Sequence, residues 1–103
     1  MEDVVLQLGG NIELSGFSEL DGGMMIVLKK IIGNHARRMN EKTKNFEKLS
    51  LTVKSVHEKE TNKIYELHVK LIDNGKPITS SNEHRNLFIA VDSALKSVMA
   101  QLK

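Results

Sequence analysis

The chain reads as an α+β two-layer sandwich, in the order β-α-β-β-β-α, with two helices on one face of a mostly antiparallel sheet. Three observations predict it. Two stretches of helical period, Met24 to about Lys44 and Arg85 to Lys103, flank a block that alternates apolar and polar residues. That block is followed by Asn74-Gly75, the strongest short hairpin signal. The last helix has an apolar stripe and a flank of small residues, so it needs a sheet to cover and a neighbour close by. With 103 residues, 40% of them hydrophobic, the chain forms one domain, 1–103, around a single modest core.

The elements follow in order. "VVLQL" and "NIELSGF", separated by Gly9-Gly10, predict one or two short strands. "SELDGG" carries helix-start signals: Ser18 with Asp21 as a capping box, or Asp21 itself as the cap. In the first helix Met24, Leu28, Ile31, Ile32, His35 and Met39 share one face, and Lys30, Arg37, Glu41 and Lys44 lie opposite. Ile26 falls amid those charges and is expected to be exposed. "KLSLTVKSV" points Leu49, Leu51 and Val53 inward, and "KIYELHVKLI" points Tyr65, Leu67, Val69 and Leu71 inward, with "HEKETNK" as a polar connection. Pro77 cannot donate to a ladder, so the strand returning from the hairpin is short or lies at an edge. Ser81 or Asn82 can cap the last helix, which is expected to bury Leu87, Phe88, Val91, Leu95, Val98 and Leu102. Its small flank, Ala90, Ser93, Ala94, Ser97 and Gln101, is expected to meet the first helix. The outer face of the sheet, with Thr52, Lys54, Glu66, His68 and Lys70, is expected to be wet.

Composition excludes several classes. The chain has no cysteine, and so no disulfide framework, thiolate metal site or cysteine nucleophile. No apolar run reaches the ~18 residues that cross a bilayer, so no membrane is expected. The acidic start "MEDVVLQLGG" lacks the positive charge of a secretory signal, and a cytoplasmic location is expected.

The net charge is only +2, but it is unevenly spread. Residues 21–50 hold seven bases and three acids, whereas residues 1–20 hold four acids and no base. The candidate site is the basic surface of the first helix: Lys29, Lys30, Arg37, Arg38 and Lys44. Lys30, Arg37 and Lys44 are seven apart and form a stripe suited to a polyanion; an ordinary solvated helix would carry the same charges.

"LFIAVD" (Leu87 to Asp92) has the pattern apolar, aromatic, two small residues, aliphatic, Asp, with Ile89 in place of one small residue. This pattern, within "GKPITSSNEHRNLFIAVDSAL", resembles the final strand, turn and helix of the ribosome hibernation-promoting factors, also called ribosome-associated translation inhibitors. "FEKLSLTVKSV" stands where that family has the strand after its first helix, and the resemblance covers roughly residues 12–103. It implies a fold related to double-stranded-RNA-binding domains and binding to the small ribosomal subunit through basic residues of the helices. Lys29, Lys30, Arg37 and Arg38 stand where the family's first helix is basic. In the second half of its final helix, where the family is rich in bases, this chain has only Lys96 and Lys103.

Other motifs are sparse. "IIGNHARRM" is faintly like the glycine loop of KH RNA-binding domains, but Ala36 replaces the second glycine and the stretch fits an uninterrupted helix. The four histidines match no metal-ligand spacing, and His35 reads as a hydrogen-bonded core residue. His57 with Glu58, Glu60 and Glu66 is the kind of cluster that a charged hairpin end produces by chance. There is no nucleophile elbow, phosphate loop or dinucleotide fingerprint, so no enzyme and no cofactor is expected. Two readings stay open: an RNA- or ribosome-binding module, and a protein-interaction module or homodimer with no nucleic-acid partner.

Overall fold

The computed structural model describes residues 5–7, 11–18, 20–59 and 62–102. The elements are β1 (Val5–Gln7), β2 (Ile12–Ser15), α1 (Gly22–Lys42), β3 (Phe46–Lys59), β4 (Asn62–Asp73), β5 (Lys76–His84) and α2 (Leu87–Gln101). They form an α+β fold. The five strands make one sheet in sequence order, antiparallel throughout except for the parallel β2–β3 pair that α1 connects. Gly9-Gly10, expected to separate the first strands, and Glu60-Thr61, within the expected polar connection "HEKETNK", lie outside the described residues.

The register explains the core. Leu49 pairs with Leu71, Leu51 with Val69 and Val53 with Leu67, so three apolar rows stack on one face of the central hairpin. All six are buried, in one cluster with Leu28, Ile32 and Met39 of α1 and Leu87, Val91, Leu95 and Val98 of α2. Both helices therefore cover the same face. The intervening rows Ser50–Lys70–Thr79 and Thr52–His68–Ser81 lie on the other, exposed or half-buried face.

Asp21 caps α1: its Oδ1 accepts from the Met24 amide at 2.8 Å. The helix therefore starts two residues before Met24, through Gly22 and Gly23, and Gly33 sits in its uninterrupted middle, which removes the KH-like reading. It also ends at Lys42, with Thr43 as C-cap, so Lys44 is not helical. Asp73 Oδ1 accepts the Lys44 and Asn45 amides at 3.0 and 2.9 Å, which turns the chain away from the helix axis.

Asn74 (φ 53°) and Gly75 (φ 83°) make the hairpin turn, both in the left-handed region that a type I′ turn requires. β5 is an edge strand, as Pro77 demands, but it is nine residues long. Pro77 faces Ile72, one position beyond the turn-closing Asp73–Lys76 pair. Ladder pairs alternate, so this position asks for no donor from Pro77. Pairing then runs on through Ser81 and Asn82, which are strand residues, and the cap of α2 is Asn86, whose Oδ1 accepts from Phe88 and Ile89. Likewise "HEKETNK" is mostly strand, because β3 runs to Lys59 and β4 begins at Asn62.

The small flank of α2 does not meet α1. Ser80 Oγ donates to the Ala94 carbonyl at 2.7 Å and Gln101 Nε2 to the Thr79 carbonyl at 3.0 Å, so this flank lies over β5. The side toward α1 instead carries Asp92, which takes a hydrogen bond from His35. Small residues suit close approach to an edge strand as well as to a helix. Phe88, expected in the core, is only half-buried, whereas Ala90 and Ala94 are fully buried.

Candidate nucleic-acid interface

An α-helix laid on a sheet leaves its opposite face to solvent, and the periodicity of α1 decides what that face carries. Lys29, Lys30, Arg37, Arg38 and Lys42 are all exposed, and Glu41 is the only acid within the helix. Among the described residues, no ion pair engages any of these bases. Their charges are thus available to a ligand.

The structure divides the candidate residues. Lys30 and Arg37, seven apart, lie on the outward face as expected. Lys29 and Arg38 are nine apart, which at ~100° per residue sets them on opposite flanks. Arg38 lies on the α2 side and lines a cleft with Ile31, Asn34, His35, Asp92 and Lys96. Lys44 leaves the stripe, for the reason given above. It lines a second recess with Lys42, Asp73, Asn74 and Lys76, where the β4–β5 turn meets the end of α1. Glu47 Oε1 accepts the Gly75 amide at 2.8 Å and helps to tie the turn there.

Lys42, Lys76 and Lys96 were not among the sequence-predicted bases. Lys76 and Lys96 are remote from α1 in the chain and reach its end and flank only through the fold. Lys96 alone had a local sign, its spacing of four from Asp92, which favours an ion pair on a helix. That pair is present at 3.0 Å.

The cleft between the helices is the most structured polar feature. His35 is 7% exposed, and its Nε2 lies 2.7 Å from Asp92 Oδ1. The hydrogen bond from His35, and next that from Lys96, hold the Asp92 carboxyl below its usual value. His35 Nδ1 is buried and has no hydrogen-bond partner. Through its Nε2 the imidazole joins α1 to α2.

The outer sheet face is polar, with Ser50, Thr52, Thr79 and Ser81 around Lys70 and His68; His68 pairs with Glu66 at 3.2 Å. Among the described residues three large apolar side chains are exposed: Ile26 (61%), Val27 (43%) and Ile89 (45%). Among the described residues no group of three potential metal ligands gathers, and no helix is long and apolar enough to cross a membrane. No family model matches the chain, and no curated protein matches it.

Proposed function

We propose that the protein is an RNA-binding module that acts by binding rather than catalysis, with the solvent face of α1 as its contact surface. The observation that carries this reading is the density of unpaired, exposed bases on one helix: Lys29, Lys30, Arg37, Arg38 and Lys42 against the single acid Glu41. A polyanion rewards such a surface by releasing its condensed counterions. Lys44 and Lys76 extend the surface beyond the helix end. The resemblance of the final strand and helix to ribosome hibernation-promoting factors supports the small ribosomal subunit as the target and the cytoplasm as the place of action. Co-sedimentation with small ribosomal subunits across a salt series tests it. Binding at low salt that falls steeply as salt rises is expected, and no binding at low salt would reject the reading.

A second reading has its own observation. Ile26, Val27 and Ile89 expose apolar surface that a protein partner or a second copy of the chain could bury. Association through them would be nearly insensitive to salt, which separates the two readings in the same experiment.

A further inference from the structure

Two cations on different helices, Arg38 and Lys96, line one cleft of about 210 Å³ together with the Asn34 amide, and the one acid lining it is Asp92. Each oxygen of that carboxylate is engaged by one donor: Oδ1 by His35 Nε2 at 2.7 Å and Oδ2 by Lys96 Nζ at 3.0 Å. An oxyanion held between an imidazole on one helix and an ammonium on the other, beside a free guanidinium, marks a place where a second oxyanion would also be bound. We propose that this cleft is a phosphate subsite formed by Arg38, Lys96 and Asn34, and that Asp92 is a built-in competitor that lowers its affinity by holding Lys96. The inference rests on the RNA reading, because the phosphate it takes is one of the RNA backbone.

The two contacts of Asp92 differ in the freedom they leave. His35 is more than nine-tenths buried and cannot follow a ligand, so it pins the carboxylate to the cleft wall. The Lys96 side chain is 70% exposed and can swing from Asp92 to an incoming phosphate. Exposed ion pairs of this kind are weak, so a phosphate oxygen can win the ammonium. Asp92 then stays in place as a negative charge beside the bound phosphate, and affinity is reduced accordingly.

Asp92→Asn removes the charge and releases Lys96, while the amide oxygen still accepts from His35. Affinity for a structured RNA oligonucleotide, measured by fluorescence anisotropy across salt, is compared for wild type, Asp92→Asn, Lys96→Gln and the double variant, each checked for folding by circular dichroism. Asp92→Asn is expected to bind about two- to fivefold tighter. Lys96→Gln is expected to lower the salt slope by a little under one unit, and in its background Asp92→Asn is expected to gain less than it does in wild type, because only the repulsion between carboxylate and phosphate is left to relieve. In wild type, RNA is expected to shift the NMR signals of the Asn34 side-chain amide and the Lys96 ammonium. If wild type binds RNA but leaves those signals unmoved, or if the folded Asp92→Asn variant binds no tighter, or if its gain is just as large without Lys96, the subsite is wrong while the RNA reading stands. If wild type binds no RNA at low salt, the RNA reading fails and the subsite falls with it.

Discussion

Gly16 and Gly75 both hold positive φ, 81° and 83°, but for different reasons. A Cβ on Gly16 would lie 2.3 Å from the Val53 carbonyl oxygen, whereas one on Gly75 would meet nothing within 4 Å. Gly75→Ala is therefore expected to cost about 1 kcal/mol, the conformational penalty alone. Gly16→Ala adds a clash with backbone and is expected to cost at least about 2 kcal/mol more. Chemical denaturation midpoints rank the two, and equal losses would contradict this account. Only Gly75 was legible in the sequence, because its turn is set by its neighbour Asn74. The constraint on Gly16 comes from a strand far along the chain. His35 shows the same limit: its place on an apolar face announced a buried, hydrogen-bonded residue, but nothing local named Asp92 as the partner. That pair has a pH signature. Asp92 has a lowered carboxyl value in the fold, so its contribution to stability is present above its unfolded value of 3.8 and is lost as pH falls through the folded one. Asp92→Asn is expected to lower Tm at pH 7, with the gap to wild type closing below about pH 4. A gap that stays constant to pH 2 would contradict the pairing.

The elements were legible wherever local period decided them, and misjudged where the ladder did. Alternation placed Leu49, Leu51, Val53, Leu67, Val69 and Leu71 inward, and all are buried. Ser81 and Asn82 are good capping types, yet their backbones pair with His68 and Leu67, and a residue in a ladder cannot cap a helix. Asn86, two residues past the end of β5, takes the role. Asn86→Ala is expected to lower stability by about 1 kcal/mol, while Asn82→Ala, which removes no cap, is expected to cost less. Thermal unfolding of the two variants checks this, and a larger loss at Asn82 would contradict it. The small flank of α2 was misassigned because its spacing says only that something comes close. The bonds from Ser80 and Gln101 identify that neighbour as β5, and Gln101 covers part of a sheet edge that would otherwise be open.

At the scale of the whole molecule, layering sorts the charges. The sheet takes one side of α1, which leaves Lys30 and Arg37 facing water, and the fold then brings Lys76 to the helix end and Lys96 to its flank. The sequence announced the first pair by their period. It could not announce the others, which belong to elements distant in the chain. The basic surface is therefore broader than a single stripe, and Lys44 belongs to its far end rather than to the helix. The most direct test is RNA binding by a Lys30/Arg37/Lys44→Glu variant across a salt series, beside wild type. None of the three is in the core, so the variant is expected to keep the Tm of wild type within a few degrees. It is expected to lose nearly all affinity for RNA and small ribosomal subunits at low salt, with whatever binding remains falling less steeply with salt than that of wild type. A folded variant that binds as tightly as wild type, with the same salt slope, would contradict the account.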